Sequence, residues 1–469
     1  MPSNKETLNA IAEKWKDKIF CPAPFLNAYI NINNKALRPC CMTPAVSRLR
    51  KPLEEGQELQ QIQNDFWTGK SEPVTYYPGT GETLVDIRKK FLNNEWPEAC
   101  TYCKVAEENQ NWFDSVRIGY IHKYANYFGN DKLDNLHWHT TLGTEEYKSP
   151  IDVDLRPGNT CNFKCLTCSS IWSNSWQKEI DNNPELKGSY HDQESRSSNV
   201  LRQPPNWDSD EYSIYNTFDL SQVKWLKISG GESLIDNNVY RIFNKFIEND
   251  TAKNTTLQLI TNCSKLPKRM KKVLLQFKAI KWRFSIDATH DVAEYVRYGT
   301  KWNETEKIIH ELISMPNTTT YGFNTVLSMY NIFDIKRWMT YTYQMVVQSR
   351  KNNKNIAANF THPHRLVEPR YMSISMLDDE DKEYIRSQWN EFVEENNVSE
   401  KARWPFNSVE DEFKVDISDK HPFENEPNKK YRSKNRTQNL KEFKEKTLIL
   451  DKIRNTNVLD VVPRLKKYV

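Results

Sequence analysis

Cys161, Cys165 and Cys168 fall at a C-x3-C-x2-C spacing, directly after a short strand-like run from Ile151 to Pro157. Three thiolates converging from one tight loop can hold three corners of a cubane iron–sulfur cluster and leave the fourth iron open to something other than protein. An open coordination position separates a reactive metal site from a closed structural one, a rule that carries over from zinc. The remaining cysteines are grouped as well: Cys21, the pair Cys40-Cys41, and Cys100-Thr101-Tyr102-Cys103, with Cys263 alone. An odd count of nine, clustered this way, suits metal ligation in a reducing compartment better than a disulfide framework.

The elements that position these groups come from patterning. Residues 1–118 read as a first unit: a short helix at Leu8–Asp17, a break at Phe20 to Phe25, then a hairpin. Its strands are Leu26–Ile32 and Lys35–Cys41, with Asn33-Asn34 as the turn and cysteines at both ends. Helical patterns follow at Leu59–Trp67 and Thr83–Leu92, and Cys100 to Cys103 closes the unit. Residues 119–150 are aromatic and polar with weak period and read as a connector.

From Ile151 the pattern becomes strands alternating with helices. Strands are expected at Ile151–Pro157, Lys224–Ser229, Leu257–Thr261, Lys281–Ile286, Tyr321–Leu327 and Ile356–Thr361, with helices near 237–249, 265–276, 302–314 and 331–349. Such alternation predicts parallel strands and right-handed crossovers in an α/β sheet. Six strands are too few for a closed eight-stranded barrel, so a partial barrel over 151–370 is expected. A Ser-, Asn-, Asp- and Pro-rich insertion spans about 183–217. Residues 371–469 form a mainly helical C-terminal extension with a helix near Asp379–Glu395.

At 469 residues the chain is long enough for two or three domains. With 27% charged residues and a mean hydropathy of −0.80, a soluble protein is expected, and no run approaches the roughly 18 apolar residues of a membrane span. The start, Met-Pro-Ser-Asn-Lys-Glu, has no apolar segment behind it, so no secretory signal is read and a cytoplasmic location is expected. Net charge, 66 − 62 = +4, is too near balance to define a partner.

The cysteine trio after one strand and Ser229-Gly230-Gly231-Glu232 after the next resemble the radical SAM superfamily. That resemblance implies a [4Fe–4S] cluster on Cys161, Cys165 and Cys168 whose free iron is chelated by S-adenosylmethionine. One electron then cleaves the sulfonium to methionine and a 5′-deoxyadenosyl radical, which abstracts hydrogen from substrate. It also implies a partial (β/α)6 barrel, in agreement with the strand count. Gly230, Gly231 and Glu232 match the element that contacts the methionyl amine. The residue types make sense alone: two glycines admit close backbone approach and a carboxylate pairs with an ammonium. Ser285-Ile286-Asp287-Ala288 resembles the family's Ser-x-Asp-Gly, and Arg297-Tyr298-Gly299 follows it. Ser285 and Arg297 are then candidates for the carboxylate and ribose of S-adenosylmethionine. Thr261-Asn262 matches a Thr-Asn-Gly element in which Cys263 replaces glycine, making Asn262 a further candidate. Thr167 stands where many members place an adenine-contacting aromatic, so that contact is unassigned.

Cys21-Pro22-Ala23-Pro24-Phe25, the hairpin, Pro39-Cys40-Cys41, Trp67-Thr68-Gly69 and Cys100-x2-Cys103 resemble the SPASM/twitch auxiliary-cluster domain, here placed before the barrel. It lacks the additional cysteines of the two-cluster form. The resemblance implies a second iron–sulfur cluster, of the [4Fe–4S] type, on Cys21, Cys40, Cys100 and Cys103, with Cys41 the rival of Cys40. A four-thiolate zinc site is the alternative for the same residues.

Two histidine pairs, His137/His139 and His362/His364, place both rings on one side of an extended chain, as metal ligands or as ordinary polar packing. Lys429, Lys430, Arg432, Lys434, Arg436, Lys441, Lys444 and Lys446 make a basic tail that reads as solvated or as a contact for nucleic acid. The expected partners are S-adenosylmethionine, an electron donor such as flavodoxin or ferredoxin, and a peptide, protein or small-molecule substrate. The competing readings are a non-catalytic iron–sulfur or zinc module that binds nucleic acid, and a radical enzyme acting on RNA or a nucleoside.

Overall fold

A computed structural model of the chain describes residues 4–31, 36–43, 47–48, 82, 84–109, 115–129, 149–192, 219–352, 356–358, 362–364, 366, 369–398, 404–415 and 435–469. The helical pattern at Leu59–Trp67, the Trp67-Thr68-Gly69 segment and most of the 183–217 insertion lie outside them. Among the described residues no helix is long and apolar enough to cross a membrane.

The molecule is a mixed α/β structure built on one mostly parallel sheet. The N-terminal hairpin supplies β1 (Asn27–Asn31), β2 (Ala36–Arg38) and β3 (Ser47–Arg48), each antiparallel to the next. Then come β4 (Asp152–Arg156), a two-residue strand β5 (Lys164–Cys165), β6 (Trp225–Ile228), β7 (Thr256–Thr261) and β8 (Ala279–Ser285). The last are β9 (Arg297–Tyr298), β10 (Thr318–Val326), β11 (Ala357–Ala358) and β12 (His362–His364). β4, β6, β7, β8 and β10 lie side by side in that order, every neighbouring pair parallel, and β11 and β12 both add to β10. Five of the six expected strands are present, and of the sixth, Ile356–Thr361, β11 is described while residues 359–361 lie outside the described residues. β1 then pairs in parallel with β4, Asn27 opposite Asp152 through Asn31 opposite Arg156. The hairpin therefore extends the sheet, covering backbone groups that an exposed edge would leave unpaired.

Strand register gives the sheet two unlike faces. Val153, Leu155, Leu226, Ile228, Leu257, Leu259, Ile280, Trp282, Phe284, Tyr321 and Phe323 occupy one set of alternate positions and are buried. The helices cover them. Asn237–Glu248 buries Val239, Ile242, Phe243 and Phe246, an i, i+3, i+4, i+7 stripe, and is capped by Asp236. Lys268–Leu274, Trp302–Ile313 and Ile335–Asn352 occupy the other expected crossovers. The second face carries Tyr29, Asp152, Asp154, Arg156, Lys227, Lys281 and Arg283.

A helix at Val116–Phe128 was hidden by its aromatic composition; it starts inside the first expected unit and runs into the connector. Tyr124 Oη donates to Asp152 at 2.7 Å, Lys123 pairs with Asp152, and Tyr127 packs edge-on to Trp225 at 4.2 Å. These contacts lie at the N-terminal ends of β4 and β6 and leave the C-terminal strand ends for the site.

The C-terminal extension docks on the sheet unit. Helix Asp379–Glu395 forms as expected. Helix Arg436–Arg454 starts on an Asn435/Gln438 capping box and ends at Asn455, φ 52°. Its Thr447 meets Tyr330 Oη at 2.7 Å, its Asp451 accepts from Tyr295 Oη at 3.0 Å, and Phe443 packs on Tyr330.

The N-terminal unit is tied by a buried ion pair. Arg117 donates to both oxygens of Glu107 at 2.8 and 2.5 Å and to the carbonyls of Lys18 and Phe20 at 3.0 and 2.9 Å. Arg117→Met strands a buried carboxylate and is expected to cost about 3–5 kcal/mol in urea unfolding of the metal-free protein. The double variant with Glu107→Leu should recover most of that loss.

Candidate functional site

The cysteine loop leaves β4 through Pro157 to Thr160 and is shaped by the start of helix Asn174–Asn182. Ser173 Oγ donates to the carbonyl of Phe163 at 2.6 Å, Ser175 Oγ to that of Cys161 at 2.7 Å, and Trp176 Nε1 to that of Cys165 at 2.9 Å. Asn174 Oδ1 accepts from Cys161 N at 3.0 Å. β5 pairs with β9, Lys164 opposite Tyr298 and Cys165 opposite Arg297. The three thiols are thereby held at the C-terminal end of β4.

Burial dominates their chemistry. It pushes the Cys168 thiol up to about 12 and raises Cys161 and Cys165 as well, with Cys165 adding repulsion to each of its two neighbours. Three thiolates so crowded, Cys165 buried and the other two half-buried, need a bound cation to supply the compensating charge. The protein adds donors to sulfur: Asn262 Nδ2 lies 3.8 Å from Cys161 Sγ, Phe163 N 3.5 Å from the same atom, and Arg297 Nη1 3.7 Å from Cys165 Sγ.

Ser229-Gly230-Gly231-Glu232 follows β6 and packs directly on this loop. Gly231 N donates to the carbonyl of Gly158 at 3.2 Å and Glu232 N to that of Thr160 at 2.6 Å. A Cβ on Gly231 would overlap the Thr160 carbonyl, and Gly230 has φ +119°. The Glu232 carboxylate is buried and accepts from Leu234 N at 3.0 Å, Thr261 Oγ1 at 2.7 Å and Asn262 N at 2.5 Å. Burial lifts its pKa to about 7 against those three bonds. Glu232 thus clamps the ends of β6 and β7, and the backbone of the Gly-Gly turn abuts the loop.

The other expected residues lie at successive strand ends. Asn262 ends β7 beside Asn162, Nδ2 to Oδ1 3.2 Å. Cys263, in place of a glycine, adopts φ +57° and is fully buried. Ser285 ends β8 opposite Asn324. Arg297 pairs with Asp287 at 2.8 Å. His137 and His139 fall outside the described residues. His364, on β12, lines a small pocket with Leu327, Ile374 and Glu412 and feels the charges of Asp287 and Arg283.

A second gathering of thiols lies in the N-terminal unit. Cys21, Cys40, Cys100 and Cys103 line one pocket, walled by Phe91, Trp96 and Tyr120. Burial raises all four, Cys40 to about 12. Cys41 is not in that lining. Its thiol senses Lys227, Asp154 and Arg156, the polar face of the sheet. Among the described residues no three His, Cys, Asp or Glu side chains are gathered about a point that a single metal ion would occupy.

Sequence patterning missed a cluster behind the loop. His191, buried, stacks on Trp176 at 3.9 Å and 6°, and its Nδ1 lies 2.7 Å from the carbonyl of Cys168. Burial holds its pKa down to about 3, so the ring is neutral and Nδ1 carries the proton. Arg454, from the far end of the chain, donates to Glu179 at 2.8 Å and to the carbonyl of Lys164 at 3.1 Å. Its guanidinium lies 4.6 Å from the rings of both Trp176 and Tyr298. Residues nearly three hundred positions apart leave no local signal. Of the basic tail, Lys429 to Lys434 lie outside the described residues, Lys441 and Lys444 are exposed, and Arg436 bonds the carbonyl of Met376 at 2.9 Å.

No family profile and no curated protein matches this sequence. Solved structures do. Streptococcus suis SuiB bound to S-adenosylmethionine aligns over 57% of this chain and 51% of its own, with 11% identity and a TM-score of 0.29. SuiB bound to the precursor peptide SuiA aligns over 74% and 65%, with 11% identity and a TM-score of 0.29. Native anSMEcpe with bound AdoMet and Cp18Cys peptide aligns over 66% and 98%, with 12% identity and a TM-score of 0.24. This chain thus spans about half the length of the first of them. At these values the functional reading rests on the residues themselves.

Two substitutions test the loop's supports. Gly231→Ala drives a methyl into the Thr160 carbonyl and should cost about 1–3 kcal/mol, with iron and sulfide per chain falling at the same time. Arg454→Met leaves buried Glu179 with Lys164 alone and should cost about 3 kcal/mol. In that variant, limited proteolysis should release the helix Arg436–Arg454 sooner than in the parent protein.

Proposed function

We propose that the chain is a radical SAM enzyme with an auxiliary iron–sulfur centre in its N-terminal unit. The observation that carries this reading is the convergence, at the C-terminal ends of β4, β6, β7 and β8, of three thiols, one buried and two half-buried, a Gly-Gly-Glu turn packed on their loop, and donors aimed at two of the sulfurs. Three thiols fit a cubane cluster that keeps one iron for an outside ligand. When bound there, such a cluster supplies the electron that splits S-adenosylmethionine into methionine and a 5′-deoxyadenosyl radical.

The chain's own residues do the rest. Asn262 and Arg297 donate toward Cys161 and Cys165, and hydrogen bonds of this kind shift the potential of a cluster. The Gly230-Gly231 backbone offers close approach beside the loop, the place expected for the methionyl group. Ser285 and Asn262 flank it at neighbouring strand ends. Glu232 fixes the turn, so its part in binding is to position backbone. The polar face below is where a substrate would meet the radical.

The pocket of Cys21, Cys40, Cys100 and Cys103 is read as the auxiliary site, a [4Fe–4S] centre with Cys40 rather than Cys41 as ligand. Tyr120 lines that pocket, and the charges of Asp152 and Asp154 on the polar face reach its hydroxyl. A centre placed there would exchange electrons with a substrate or help hold one. Flavodoxin or ferredoxin would serve as donor to the first cluster. A peptide or protein residue is the substrate class put forward.

The test is anaerobic reconstitution with iron and sulfide, followed by S-adenosylmethionine and dithionite. 5′-Deoxyadenosine should form in the parent protein and be absent, to within about a hundredfold, in Cys165→Ala. Metal analysis of Cys161→Ala/Cys165→Ala/Cys168→Ala should leave about four iron atoms in the N-terminal pocket. Zinc there instead would replace the auxiliary assignment, and full iron loading without 5′-deoxyadenosine would favour a binding module.

A further inference from the structure

We propose that the polar face of the sheet holds an oxyanion of the substrate, a carboxylate or a phosphate, between Arg156 and Arg283. The idea rests on the strand ends being a reaction site and adds the class of molecule that enters it.

Register places the two arginines in one row. Asn31 pairs with Arg156, Ser229 follows the Leu155–Ile228 pair on the next strand, and Ile260 pairs with Arg283. All four strands are parallel, so these positions sit at the same height, just below the cysteine loop. Arg156 and Arg283 are three strand steps apart, about 14 Å along the sheet. A substrate with an anionic group on a chain, or with two such groups, can meet both.

Several other buried or half-buried cations among the described residues each have a carboxylate. Arg117 has Glu107, Arg454 has Glu179, and on this same face Lys227 has Asp154 at 2.7 Å and Lys123 has Asp152. Arg156 and Arg283 break that pattern. Among the described residues neither pairs with a carboxylate, and burial alone lowers the pKa of Arg283. Arg156 instead lies between two rings, 5.3 Å from Tyr29 and 5.4 Å from Trp172, which hold a guanidinium plane and leave its N–H edge available.

Buried polar atoms without partners collect at the same spot. Arg156 Nε, Asp154 Oδ1 and Ser229 Oγ are all enclosed and unbonded, on adjacent positions of β4 and the end of β6. A buried donor left unpaired costs enough that such atoms are rare outside sites awaiting a ligand or water. Two donors among them, beside a surplus of positive charge, match an oxyanion, for which the planar guanidinium fork is suited.

The experiment is calorimetric titration of the full reconstituted chain with inorganic phosphate and, separately, with glutarate, in the absence of S-adenosylmethionine and reductant. At least one of the two should bind, and uncharged glutaramide should not. Arg156→Gln and Arg283→Gln should each weaken binding by about tenfold or more. Circular dichroism melts check folding. If Arg156→Gln does not fold, Arg156→Lys, which keeps charge and loses the fork, should still weaken binding several-fold. Phosphate alone points to a phosphorylated substrate and glutarate alone to a carboxylate. Binding of neither, or equal binding by parent and variants, overturns the proposal. So does displacement of the anion by stoichiometric S-adenosylmethionine, which would give the arginines to the co-substrate. Because no radical chemistry is read, failure to form 5′-deoxyadenosine leaves this result standing. A chain that forms it yet binds neither anion loses only this proposal.

Discussion

Gathering three thiols, one buried and two half-buried, in one eight-residue loop is the constraint on which the rest of the structure depends. Burial penalises every thiolate there, and neighbouring thiolates repel one another. A loop with that cost keeps its shape only if its backbone is fixed from outside. The start of helix Asn174–Asn182 bonds three of its carbonyls and one amide, the Gly230-Gly231 turn seals its entry, β9 pairs with its middle, and Arg454 takes the carbonyl of Lys164. These supports come from four separate parts of the chain. The site is therefore a product of the whole fold, the C-terminal extension included.

The sheet's two faces divide the work. The apolar face carries the packing that stabilises the domain, under helices whose stripes repeat at helical period. The other face is free of that duty and can bear charge. Charge on an inner face is costly unless paired, and Lys227–Asp154 and Lys123–Asp152 follow the rule. Departures from it then become informative, because packing does not require them. At the N-terminal ends the face is closed by the aromatic helix Val116–Phe128, so approach is from the strand ends where the cysteine loop lies.

How much of this was legible in the sequence follows from how local each signal is. Five of the six strands, the crossover helices and the hairpin were readable because each is a short periodic run with its own turn residues. The helix at Val116–Phe128 was not, since aromatic and polar residues on all sides blur its stripe. Cys263 looked like an oddity in place of a glycine; its positive φ explains the glycine and shows that a small buried side chain tolerates the same backbone. Glu232 was read as a ligand for an ammonium, and the structure adds that its carboxylate also accepts from three protein donors. Pattern identifies which residues matter, but whether a carboxylate faces inward or outward depends on tertiary neighbours. Arg454 and His191 carried no local pattern at all.

The choice between Cys40 and Cys41 shows how the two sites are joined. Cys40 and Cys41 follow β2 in a bend and a turn, and their thiols have different surroundings. Cys40 turns to the pocket with Cys21, Cys100 and Cys103, and Cys41 to Arg156, Asp154 and Lys227. The wall between the N-terminal pocket and the polar face is thus, at this point, a single turn of chain. That turn is the end of a hairpin whose first strand is bonded along its full length to β4, and β4 leads straight into the cysteine loop. The hairpin and the cysteine loop are therefore joined through a continuous ladder of backbone hydrogen bonds. The N-terminal unit cannot act as a detachable appendage, because the same strand pairing sets both the position of its thiols and the height at which Arg156 meets whatever enters the polar face.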